Sequence, residues 1–245
     1  MNHKKNIERT LYRIVEEISK ENAPIVFKGA LALKDLLYIN NPDLEVNRKT
    51  IDIDANWVSE YDRDKIIKLI DKAVKNVDPD YNVVVYREPA ERKSMGLKVL
   101  DKDGSVFTKI DMDIKDNPFY IECLVNDVNI KYSDFNKMLG DKLYSLSNEY
   151  VFRRVKDLLD CYLIIRDNKI SKEEIEKVLE YDGRSMGNFT TMINGKKDLK
   201  IAYESLEGID NKPDFEEVWE TLIEYLIDEK LLDKRVYDLS NDLEI

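Results

Sequence analysis

The hydrophobic pattern of this chain changes period near Tyr132. Upstream, the runs Tyr81–Arg87, Leu97–Leu100, Val106–Ile114, Phe119–Val125 and Val128–Tyr132 are β-branched or alternate apolar with polar residues, as strands do. Downstream, apolar residues recur at helical spacing and predict helices over about 134–146, 148–167, 171–181, 196–206 and 214–230. Strands followed by helices read as an α+β chain, with a sheet-forming domain in residues 1–132 and a helical domain in 133–245. No linker-like or repeated segment interrupts it.

Within the first part, Ile7, Leu11, Ile14, Val15 and Ile18 mark an opening helix over 2–21. A short strand, Ile25–Phe27, runs through Lys28-Gly29 into a helix over 30–38. The stretch from Arg48 to about Trp57 reads as a strand in which Ile51 and Ile53 face the core while Asp52 and Asp54 share the opposite face. Ser59 is placed to cap a helix running to Val77, and Tyr81–Arg87 has the composition of a buried strand. Leu97–Leu100, the Asp101–Gly104 turn and Val106–Ile114 form a hairpin whose second strand turns Lys109, Asp111 and Asp113 away from Ile110, Met112 and Ile114. Ser171…Glu174 and Asp214…Glu217 have the spacing of capping boxes.

Composition narrows the chemistry. The formal charge of −11 argues against indiscriminate nucleic-acid binding, so any such partner must use a local basic patch. The single histidine, His3, leaves no place for Ser-His or Cys-His catalysis or for a His-ligated zinc. Two cysteines, Cys123 and Cys161, do not make a disulfide scaffold. No run is apolar and long enough to span a bilayer, and the expectation is a cytoplasmic protein.

Carboxylates and lysines must therefore carry the chemistry. Five Asp-x-Asp pairs occur where composition alone gives roughly three, so the motif by itself is weak. Asp62/Asp64, Asp78/Asp80 and Asp101/Asp103 fall in helical or turn contexts; only Asp52/Asp54 and Asp111/Asp113 sit in an alternating apolar frame. Such carboxylates either lie solvated on half-buried strands or gather hard oxygen ligands for Mg²⁺, and Gly29 upstream favours the metal site. A glycine before a helix start lets an anion approach free backbone N–H groups and the positive end of the helix dipole. Lys28, Lys34, Arg48 and Lys49 surround that position in sequence, and Arg48 or Lys142 suits the balancing of triphosphate charge. In the run Val151 to Tyr162, Arg153 is spaced to pair with Asp157 near the buried stripe, while Arg154, Lys156 and Asp160 fit a solvated, salt-bridged face equally well.

The order of these motifs resembles the AbiEii/AbiGii family of nucleotidyltransferase toxins, abortive-infection proteins of type IV toxin–antitoxin systems related to DNA polymerase β-like nucleotidyltransferases. The resemblance rests on Phe27-Lys28-Gly29-Ala30-Leu31, on Arg48-Lys49-Thr50-Ile51-Asp52-Ile53-Asp54, on Lys109-Ile110-Asp111, on Asp141-Lys142-Leu143 and on the Arg153–Asp160 helix. It implies a nucleotidyltransferase-type mixed sheet flanked by helices, then a helical domain, and Mg²⁺-dependent transfer of a nucleoside monophosphate from a nucleoside triphosphate, with two ions. Asp52, Asp54 and Asp111 would be metal ligands, with Asp113 as an alternative third. Lys28, Gly29, Ala30, Arg48, Thr50 and Lys142 would bind nucleotide, and Lys142 and Asp157 match the remaining essential positions. Ala30 stands where the family usually has Gly or Ser, so backbone N–H groups alone would serve there. A cognate antitoxin and a tRNA 3′ end are the implied partner and acceptor. A small-molecule acceptor such as an aminoglycoside, a protein acceptor and a catalytically silent nucleotide-binding module stay open as alternatives.

Overall fold

The computed structural model describes residues 2–89, 93–148 and 151–242. In chain order the elements are α1 (Asn2–Lys20), β1 (Ile25–Lys28), α2 (Gly29–Asn40), β2 (Asn47–Arg48), β3 (Asp52–Trp57), α3 (Arg63–Val77), β4 (Asn82–Arg87), β5 (Ser94–Leu100), β6 (Val106–Ile114), β7 (Tyr120–Val125) and β8 (Val128–Ser133). Then follow α4 (Phe135–Leu146), α5 (Val155–Asp167), α6 (Lys172–Tyr181), α7 (Thr190–Asn194), α8 (Lys196–Glu204), β9 (Ile209–Asp210), α9 (Phe215–Asp228) and α10 (Lys234–Asp242). They form two compact units: residues 1–36 with 49–134, and residues 37–48 with 135–245.

The first unit is built on a seven-stranded sheet of order β4-β5-β6-β3-β1-β8-β7. It is mixed: β3 pairs parallel with β6 and β1 parallel with β8, while the other neighbours are antiparallel. Strand alternation divides the side chains. Ile53, Ala55 and Trp57 of β3, with Ile110 and Met112 of β6 and Leu97 and Val99 of β5, are fully buried. So are Leu11, Ile14 and Ile18 of α1 and Ile66, Ile70 and Val74 of α3, the two helices that pack on each other and on the sheet. Within that core the Asp35 carboxyl of α2 accepts a hydrogen bond from Tyr132 of β8 at 2.5 Å and a second from Tyr12 of α1. Burial pushes Asp35 up to about 6 even though both hydroxyls pull the other way.

Several sequence expectations shift. Ile51 does not join the core: β3 begins at Asp52, leaving Ile51 63% exposed. Arg48 leaves the acidic strand altogether and pairs across to Ile209 of β9. The helix after β3 starts at Arg63, capped by Asp62, whose side chain accepts from the Lys65 N–H at 3.0 Å; Ser59 lies too early to serve. The β-branched run in β4 is an edge strand, with β5 as its neighbour, and its exposure alternates through Tyr86 because alternate side chains point to opposite faces of the sheet.

In the second unit the buried stripe of α5, including Leu158, Leu159 and Ile164, packs among α4, α8 and α9. Cys161 lies fully inside this stripe, and burial holds its thiol well above the usual range; Cys123, on β7 of the first unit, is half-buried. The Ser171–Glu174 capping box forms with both reciprocal bonds, whereas Asp214 makes no side-chain cap. Residues 151–154 take a 3₁₀ turn before α5, so the expected 148–167 helix starts late; its residues 149–150 lie outside the described residues. Among the described residues no helix is long and apolar enough to cross a membrane.

Candidate active site

Register decides which acidic residues of the first unit meet. In the parallel β3–β6 pair, Asp52 stands opposite Lys109, Asp54 opposite Asp111 and Asn56 opposite Asp113. Partners in register point to the same face, so Asp52, Asp54 and Asp111 share the side of the sheet turned away from the apolar core. The Cα atoms of Asp54 and Asp111 are about 5 Å apart by strand spacing, and those of Asp52 and Asp54 about 7 Å by strand rise.

Gly29 opens α2 directly against this face. Its φ is +71°, a region open mainly to glycine, and a Cβ built there would come 2.4 Å from Asp54 Oδ2. The glycine thus allows the sharp β1–α2 turn and brings the start of α2 beside the Asp54 carboxylate. Lys28, the last residue of β1, forms a close ion pair with Asp113. That pair, with the register of Asn56, sets Asp113 apart from the Asp54–Asp111 alignment. The Thr50 hydroxyl donates to the Asp52 carbonyl at 3.3 Å.

Asp111 has partners that the sequence did not suggest. The Tyr86 hydroxyl donates to Asp111 Oδ1 at 2.7 Å, and the Arg87 guanidinium donates to the same oxygen at 2.6 Å. Both come from β4, whose register slips between Val85 and Arg87, so a run read as a buried strand instead hands two polar side chains to the acidic face.

A second ionic group belongs to the other unit. Asp160 of α5, 1% exposed, accepts from Lys142 of α4 at 2.5 Å and forms a close ion pair with Arg48 of β2. Lys142 also donates to Asp157 at 3.0 Å. Burial alone would lower the Lys142 ammonium, but Asp160 and Asp157 together hold it above its usual range. Burial likewise opposes ionisation of Asp160, and Lys142 and Arg48 more than offset it. Arg48, Lys142 and Asp157 are therefore brought together, with Asp160 at the centre rather than on a solvated face. Arg153, read as lying near the buried stripe, is exposed.

Among the described residues no three acidic, His or Cys side chains stand close enough together to hold a metal ion. The donors do fit a hard divalent cation in their chemistry: they are carboxylate oxygens on one face, Asp54 and Asp111 stand in register, and Gly29 keeps the space beside Asp54 clear of a side chain.

The family model described as "Nucleotidyl transferase AbiEii toxin, Type IV TA system" matches residues 9–237. The chain belongs to the AbiEii family. It is thus a nucleotidyltransferase toxin of the type IV toxin–antitoxin class, a family whose activity implies a nucleoside triphosphate substrate, a metal and a cognate antitoxin. The AbiEii chain is similar in fold to JHP933 from Helicobacter pylori, with a TM-score of 0.59 at 16% identity, covering 100% of this chain and 99% of that one. A putative nucleotidyltransferase from H. pylori gives 0.54 at 15% identity, covering 100% and 99%. MenT4, a nucleotidyltransferase toxin from Mycobacterium tuberculosis, gives 0.53 at 10% identity, covering 96% and 86%. No curated protein matches the sequence. The α+β class, with its mixed sheet and following helices, and the family read from the ordered motifs both hold for this AbiEii chain.

Proposed function

We propose that the acidic face of the first unit transfers a nucleoside monophosphate from a nucleoside triphosphate to a hydroxyl acceptor, with the 3′ end of a tRNA as the favoured acceptor. The carrying observation is the in-register stand of Asp54 and Asp111, with Asp52 on the same face and Gly29 against Asp54. Asp52, Asp54 and Asp111 would hold two Mg²⁺ ions; Asp113 is the alternative third ligand, one step further along β6 and opposite Asn56 rather than a carboxylate. The bound cations would neutralise charge on the triphosphate and on the leaving pyrophosphate.

The chain's own residues then position and exchange protons. The N–H groups at the start of α2, from Gly29 and Ala30 onward, cradle phosphate oxygens, and Lys28 and Thr50 flank them. The acceptor oxygen attacks the α-phosphorus, the bond to pyrophosphate breaks, and the acceptor's proton passes to Asp111. Lys142 and Asp157 are assigned as further essential positions by family resemblance, and Arg48 as a nucleotide-side cation. Within their own unit these residues form one network around Asp160, which supports a fixed, positioned role for each. The cytoplasm, where nucleoside triphosphates and tRNA are found, is the compartment this reading requires.

The test is transfer of label from each α-labelled nucleoside triphosphate to separate RNA, protein and aminoglycoside pools, with wild type and Asp54→Asn. Label in RNA that disappears with the variant supports the reading. Label confined to protein or antibiotic replaces the acceptor, and transfer undiminished in Asp54→Asn removes the assignment.

A further inference from the structure

The contact between β4 and Asp111 reaches beyond that assignment and rests on it. Gly96 of β5 stands in register with Asp111 and carries no side chain, leaving a gap on the acidic face beside the carboxylate. The Tyr86 ring fills the gap: a Cβ on Gly96 would come 2.6 Å from Tyr86 Cζ and 3.0 Å from its hydroxyl oxygen. The phenol spans a bare stretch of β5 and ends 2.7 Å from Asp111 Oδ1. Three cations steady the ring, with Arg87 at 5.5 Å, Lys98 at 5.3 Å and Lys109 at 5.8 Å from its centroid. Arg87 closes on the same oxygen. Both donors therefore take Oδ1, and neither competes for Oδ2.

A side chain that is 38% exposed at a sheet edge has little need of this arrangement for packing. Its geometric effect is specific: with Oδ1 held from β4, the carboxylate plane of Asp111 is fixed. We propose that Tyr86 is the positioning residue for Asp111, holding Oδ1 so that Oδ2 is presented to the divalent cation, with Gly96 as the gap that lets the ring reach. Partners of this kind commonly change metal affinity by about 10- to 100-fold when removed.

The experiment measures Mn²⁺ binding to the full chain by electron paramagnetic resonance without nucleotide, because Mn²⁺ suits the same oxygen donors as Mg²⁺. Tyr86→Phe deletes only the hydroxyl. Gly96→Ala touches no polar group but displaces the ring. Each is expected to weaken Mn²⁺ binding about 10-fold, with melting temperature unchanged. The double variant is expected to be no weaker than either single one, since both remove the same contact. The Mg²⁺ dependence of transfer shifts in parallel, and excess Mg²⁺ restores the rate. Asp111→Asn separates the two levels. If it weakens Mn²⁺ binding while Tyr86→Phe and Gly96→Ala leave it unchanged, the positioning role is overturned and the metal site stands. If Asp111→Asn changes neither Mn²⁺ binding nor transfer, the metal site falls and the positioning role with it. Additive losses in the double variant also overturn the shared contact.

Discussion

Gly29 joins a backbone requirement to a chemical one. At φ +71° an L side chain is strained, and the atom it would add meets Asp54 Oδ2. Gly29→Ala is therefore expected to cut nucleotide transfer by at least about 10-fold, on the order of 1.4 kcal/mol, as measured by initial rates at saturating Mg²⁺. Asp35 makes a different kind of statement. Its folded value of about 6 lies above the ordinary 3.8, so the folded state keeps a proton that the unfolded chain releases. Stability from this group is present at low pH and declines as pH rises between those values, by at most on the order of 3 kcal/mol. Asp35→Asn removes the ionisation while its amide oxygen still accepts from the tyrosines. The stability difference, variant minus wild type in urea melts, should thus be more positive at pH 7.5 than at pH 4.5. Equal differences at both values would contradict the raised value.

At the scale of elements, α4 and α5 are pinned by Asp160. Removing one member of a buried ionic group strands the others, at a cost of about 3–5 kcal/mol. Asp160→Ala is expected to fall in that range by chemical denaturation. Asp157 accepts a single bond from Lys142 in the network and is more exposed, so Asp157→Asn should cost only about 1 kcal/mol. Loss of transfer in a well-folded Asp157→Asn protein would then report chemistry rather than collapse. The start of α3 gives a smaller check: Asp62→Ala should cost about 1 kcal/mol of stability, and Ser59→Ala nothing measurable. The elements themselves were largely legible, because alternation and helical spacing are local. Register is not local, and it hid what mattered at their edges. Nothing in Tyr81–Arg87 says that its strand has only one neighbour or slips near Tyr86. In the sequence Asp160 fits a solvated face as well as a functional one, because Arg48, its partner across more than a hundred residues, reads as part of the acidic strand.

At the scale of the molecule, a chain of net charge −11 confines cations to patches such as that formed by Arg87, Lys98 and Lys109 around Tyr86. On the proposed reading of an RNA acceptor, so small a patch gives few phosphate contacts and modest counterion release. RNA labelling at subsaturating RNA should fall with KCl on a log–log slope no steeper than about −2 to −3, where each contact to a single strand contributes about −0.7. A much steeper slope would require a larger basic surface. The family and the overall architecture could be read from motif order, since five landmarks in sequence are far more restrictive than any one of them.

The distribution of sulfur offers a practical reporter. Each unit owns a single thiol, half-buried in the sheet at Cys123 and sealed inside α5 at Cys161. Thiols react as thiolates and only where reagent can reach them, so Cys161 should stay silent to a disulfide reagent while the helical unit holds its fold. With Cys123→Ser, the remaining labelling rate becomes a clock for the opening of that unit alone, readable without calorimetry and without an activity assay.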